Sequence, residues 1–85
     1  MGRYRIVVRK PVSKDLDGIP KREIRRTIKA IAVLSDDPRP VQSRKLSGEE
    51  KWRLRRGVFR IVYEILDAQL VVCVVKVRHT KDAYR

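Results

Sequence analysis

Apolar and charged residues alternate most sharply between Lys51 and Tyr63, on either side of a single glycine, Gly57. Read at the strand period of two, Trp52 and Leu54 point one way while Arg53 and Arg55 point the other. Beyond the glycine, Phe59, Ile61 and Tyr63 share a face, with Arg60, Val62 and Glu64 opposite. The pattern predicts a hairpin that gathers Arg53, Arg55 and Arg60 on one sheet face and the bulky residues on the other. Three guanidinium groups on a rigid sheet would make a phosphate site, because their planar forks match phosphate oxygens.

The rest of the chain supplies partners for that hairpin. Tyr4 to Arg9 alternates loosely and reads as a first strand, ended by Pro11, which cannot continue a hydrogen-bond ladder. Pro11 to Ile19 is ambiguous, although Val12, Leu16 and Ile19 have helical spacing and Gly18 suits a helix end. Pro20 fits the first turn of a helix. Ile24, Ile28, Ile31 and Leu34 then form one apolar stripe, with Ala32 beside it and Lys21, Arg22, Arg25, Arg26 and Lys29 on the opposite side. That basic side reads as a solvated surface or as a contact for a phosphate backbone. The helix should stop at Asp36-Asp37-Pro38-Arg39-Pro40.

Val41 to Glu50 reads as a loop, with Arg44 and Lys45 ahead of an apolar anchor, Leu46. Leu66 to Gln69 turns the chain without the usual Asn-Gly or Asp-Gly signal. Leu70 to Val75 is apolar on both faces, as in a central covered strand. A basic tail, Lys76 to Arg85, carries His79 and Tyr84. The expected fold is a single α+β domain over residues 1–85. It has two layers: a mostly antiparallel four-stranded sheet, with an N-terminal helical pair packed on one face, in the order β-α-α-β-β-β.

Charge narrows the partners. There are 22 Lys and Arg against 10 Asp and Glu, a net charge of +12. Seven basic and two acidic residues lie between Arg44 and Arg60, and four basic and one acidic between Lys76 and Arg85. Such concentration points to a polyanion: nucleic acid, an anionic membrane surface or an acidic protein. The one cysteine, Cys73, lies in an apolar run and reads as a small buried hydrophobe, so no internal disulfide is available. Leu70 to Val75 is far too short to span a bilayer, and the N-terminus lacks a signal peptide's apolar core. The expected location is cytoplasmic, with no membrane partner.

The sequence shows no acidic pair suited to a glycosidase, no Gly-rich phosphate loop, no serine–histidine–acid set and no CxxC zinc spacing. No cofactor or metal is expected. Phosphodiester chemistry fits what remains. RNA transesterification needs a group that takes the 2′-OH proton, cations that stabilise the phosphorane, and a donor for the departing 5′ oxygen. Arginines supply the second item and are poor bases. His79 titrates in a suitable range, and Tyr84 can stack on or orient a base. Taken alone, each also reads plainly: His79 as a solvated or capping residue, Tyr84 as a packing residue.

The order of several segments carries a resemblance. They are Tyr4-Arg5-Ile6-Val7, Lys14-Asp15-Leu16 with Ile19-Pro20, Asp37-Pro38-Arg39-Pro40, Arg44-Lys45-Leu46, Trp52-Arg53-Leu54-Arg55, Phe59-Arg60-Ile61-Val62-Tyr63 and Val77-Arg78-His79-Thr80-Lys81-Asp82-Ala83-Tyr84-Arg85. Over nearly the whole chain the sequence resembles the RelE-type toxins of toxin–antitoxin systems. The resemblance implies a ribosome-dependent endoribonuclease that cuts mRNA in the A site by 2′-OH attack without a metal, and that a cognate antitoxin blocks. It implies catalytic roles for Arg53, Arg55, Arg60, His79, Lys81 and Tyr84, and RNA contacts for Arg44, Lys45, Lys51, Arg56 and Arg78. A toxin–antitoxin hetero-oligomer is implied as well. Arg53 and Arg55 stand where well-understood members carry lysines, and Thr80 where many carry arginine. The alternatives of the same fold are a ParE-like poison of DNA gyrase and a catalytically weak RNA-binding relic.

Overall fold

The structure is a computed structural model that describes residues 3–46 and 50–79. Its elements are β1 (Arg5–Val8), α1 (Lys10–Asp17), α2 (Lys21–Asp36), β2 (Ser43–Lys45), β3 (Lys51–Arg56), β4 (Phe59–Leu66) and β5 (Val71–His79). The five strands form one sheet in the order β1-β5-β4-β3-β2. The α+β class and the N-terminal helical pair are as the sequence implies. The strand count is not: Ser43–Lys45, expected within a loop, forms a short edge strand against β3. The sheet is mostly antiparallel, as expected, with β1 running parallel to β5.

Both helices cover one face. Val12, Ala30, Ile31 and Leu34 meet Leu54, Ile61, Tyr63, Val72, Val74 and Val77 in the core. On α2 the buried positions are Thr27, Ala30, Ile31 and Leu34. Ile28 is 53% exposed, so the apolar stripe is turned from the one expected. At about 100° per residue, Ile28 lies roughly 110° from the centre of the buried face, which falls between Thr27 and Leu34. Thr27 and Ala30, both small, are buried on this face.

The β3–β4 hairpin forms about Gly57, whose φ of 60° is the left-handed conformation that glycine adopts without strain. A glycine at the first central position suits a two-residue turn matched to the strand twist. The turn before β5 is made differently. Asp67–Gln69 forms a 3-10 turn, and Leu70 then takes a left-handed φ of 52°.

β5 carries a bulge. Tyr63 pairs with Val74 and Val62 with Lys76, so Val75 is an extra residue on β5. The alternation therefore changes phase. Val72, Val74 and Val77 all reach the helix-covered core.

The segment between α2 and β2 is tied down at two points. The buried Tyr63 hydroxyl donates to the Pro38 carbonyl at 2.8 Å, and burial pushes its pKa up. The Arg39 guanidinium donates to both oxygens of Asp67, at 3.3 and 2.7 Å, and stands 5.4 Å from the Trp52 ring centroid. Tyr4 donates to the same carboxylate at 2.7 Å. Arg39 first, and Tyr4 second, hold Asp67 below the usual carboxylate range. Accepting that bond, Asp67 raises the Tyr4 pKa.

Candidate nucleic-acid interface

Residues directly opposite in a ladder share a sheet face. From β2 to β5, the face turned away from the helices carries two rows. The first is Arg44, Arg53, Val62 and Lys76; the second is Arg55, Arg60 and Arg78. Neighbouring strands lie about 4.8 Å apart, and residues two apart along a strand about 6.6 Å. Six cations thus surround one apolar residue, Val62. Arg53 and Arg60 are half-buried, while Arg44, Arg55, Lys76 and Arg78 are exposed. Like charges side by side weaken a sheet, so the rows oppose folding and favour an anion.

The basic surface is bounded. Lys51 lies opposite Glu64, and Glu64 opposite Cys73. Glu64 sits 3.9 Å from the Arg9 guanidinium, whose Nε donates to the Cys73 sulfur at 3.3 Å. At the other edge, the Arg44 guanidinium donates to the carbonyls of Val41 and Ser43, at 3.0 and 2.9 Å. Among the described residues, no three His, Cys, Asp or Glu side chains gather as a metal-ligand set.

Three of the candidate residues, His79, Arg56 and Lys45, lie off this face. His79 pairs with Phe59, and the two rings meet edge to face at 5.4 Å and 79°. Phe59 is buried on the opposite side, next to Arg56. The imidazole is therefore separated from the arginine rows by the sheet itself. Arg56 lines a groove of about 150 Å³ with Lys29, Ala30, Val33, Pro40, Gln42 and Leu54. Lys45 pairs across with Trp52, on the helix side, and its Nζ is 3.6 Å from Glu50. Lys81 and Tyr84 lie outside the described residues.

The bulge decides between Arg78 and His79. In an unbulged strand, Lys76 and Arg78 would share a face with Val72 and Val74, and His79 would join the arginines. The extra residue reverses this, placing Lys76 as well as Arg78 beside the hairpin arginines. The bulge keeps Lys76 and Arg78 out of the core and buries Val77, which is 2% exposed.

Comparison with known proteins places the chain. A family model described as "ParE toxin of type II toxin-antitoxin system, parDE" matches residues 2–84. A RelE-like toxin candidate of Escherichia coli is 32% identical over 87 residues, covering 96% of this chain and 90% of that protein. The chain is a RelE-type toxin of the RelE/ParE superfamily. A candidate toxin of Methanocaldococcus jannaschii, RelE1, is 26% identical over 98% of this RelE-type chain and 97% of its own length. Solved structures agree. The archaeal RelE–RelB complex of Pyrococcus horikoshii contains a chain that superposes with a TM-score of 0.81 at 28% identity, covering 91% of this chain and 94% of that one. The toxin–antitoxin complex RelBE2 of Mycobacterium tuberculosis gives 0.82 at 25% identity, covering 91% and 98%. This RelE-type toxin is thus the toxin component of a type II toxin–antitoxin system.

Proposed function

We propose that this toxin cleaves mRNA on the ribosome, without a metal ion, by attack of a 2′-OH on the adjacent phosphate. The observation that carries the reading is the double row of cations around Val62. In such a step the 2′ oxygen bonds to phosphorus as the bond to the 5′ oxygen breaks, leaving a cyclic phosphate and a 5′-OH. Charge builds on the phosphorane oxygens at the transition state. Arg60 stands between Arg55 and Arg78 and is half-buried, so its charge is less screened there. The row of Arg53 and Lys76 stands about 6.6 Å along the strands, suited to a neighbouring phosphate.

The proton steps fall to groups outside these rows. Guanidinium groups stay protonated, and the His79 ring lies across the sheet. In this reading the C-terminal Lys81 and Tyr84, together with the RNA and the ribosome, complete the centre. The partner that restrains the toxin is a cognate antitoxin with acidic or amphipathic segments that cover the basic face. The site of action is the cytoplasm.

The test is mRNA cleavage mapping on purified, programmed ribosomes with the unaltered protein and Arg60→Ala. The expected result is cleavage only when ribosomes are present, lost in the variant. Intact message together with poisoned DNA gyrase would replace this reading with the ParE-like one.

A further inference from the structure

β1 pairs with β5 only as far as Val8 opposite Val74, and the Arg9 N–H then donates to the Val74 carbonyl at 3.0 Å. Beyond that point the chain has turned into α1, so the outer edge of β5 has lost its strand partner. In a regular strand the next amide to face that edge would be that of Lys76. The bulge shifts the phase, and the Val77 N–H faces outward instead. The Asp15 carboxylate on α1 accepts it at 3.1 Å. This is the amide next to Arg78, in the stretch where Lys76 and Arg78 turn onto the basic face and Val77 into the core. An unmet amide here would leave the strand end loosely held.

We propose that Asp15 is a positioning residue for RNA binding: it holds the bulged end of β5 and so aims Lys76 and Arg78 at the phosphate rows. Burial of Val77 selects the shifted phase, and Asp15 pins it. The carboxylate touches no substrate and acts through the strand. This assignment rests on the RNA reading above.

The test measures binding of a fluorescent single-stranded RNA oligonucleotide by the full chain across a salt series. The variants are Asp15→Ala, Asp15→Asn, Arg78→Ala, the Asp15→Ala/Arg78→Ala double and Arg60→Ala. Asp15→Ala should weaken binding by about threefold to tenfold, the worth of one hydrogen bond. It should also flatten the slope of log affinity against log salt by about 0.7, as when one phosphate of a single strand is no longer neutralised. Asp15→Asn, whose amide oxygen still accepts, should restore both. In the Arg78→Ala background, Asp15→Ala should cost little more. Full additivity, or an unchanged salt slope in Asp15→Ala, would reduce Asp15 to a stability role and overturn the proposal alone. Unaltered binding in both Arg60→Ala and Arg78→Ala would remove the RNA reading itself. If Asp15→Ala does not fold, Asp15→Ser takes its place under the same criteria.

Discussion

The two faces of the sheet use the same strands and obey opposite rules. On the helix side, Leu54, Ile61, Tyr63 and Val77 are buried together, and each contributes by leaving water. On the other side, Arg53, Arg55, Arg60 and Arg78 stand beside one another at strand spacing. One face is arranged for the fold; the other brings like charges together, a repulsion that a bound anion relieves. Alternation along β3 and β4 makes this possible, since adjacent residues serve different ends. Stability and activity should therefore separate between neighbours in sequence.

The neighbours Arg60 and Ile61 give the largest effects. Arg60→Ala should lower ribosomal cleavage by about 100-fold to 1,000-fold, as when a transition-state donor is removed, with little change in the urea midpoint. Ile61→Ala, at a position 0% exposed, should cost about 2–5 kcal/mol in the same denaturation. If Arg60→Ala unfolded the protein, the division between faces would break down. Tyr63→Phe sharpens the helix side: it leaves the Pro38 carbonyl without its donor and should cost about 1–2 kcal/mol by chemical denaturation.

Acid should probe the tie between Asp67, Arg39 and Tyr4. The Asp67 pKa is lowered in the folded chain, so its contribution is present above the ordinary carboxylate range and is lost as pH falls through the lowered value. Melting temperature should drop on acidification below about pH 4, and Asp67→Asn should show a shallower drop. The smallest effect is the sharpest control. Lys45→Ala removes a cation from the helix side, so RNA affinity should stay within about twofold, whereas a loss as large as that from Arg78→Ala would show that RNA reaches both faces.

Much of this was legible because the hairpin's alternation is strict. Trp52, Leu54, Ile61 and Tyr63 fix the inward face, and the turn at Gly57 fixes which arginines stand opposite. Family resemblance and charge led to the same surface. What stayed hidden has identifiable causes. Leu70 to Val75 is apolar on both faces, so no alternation marks the change of phase at Val75, and the sequence alone leaves open whether Arg78 or His79 joins the arginines. Ser43–Lys45 is too short and polar to read as a strand, and it exists through pairing with β3. Ile28 fits the helical period, yet Thr27 and Ala30 are the buried positions, and small residues carry little apolar signal to mark that face. The turn before β5 shows no glycine signal because Leu70 itself adopts the left-handed backbone, which costs about 1 kcal/mol or more.

The parallel pairing of β1 with β5 has a consequence for how the molecule comes into being. Arg5 finds Val71 only after most of the chain intervenes, so among the described residues the β1–β5 pairs close the longest loops between strands. During synthesis the N-terminal strand emerges first and waits for the last one. A chain truncated before Val71 has no partner for Ile6 and lacks Val72, Val74 and Val77 from its core. Products that stop before Val71 should thus fail to fold and to act as toxins.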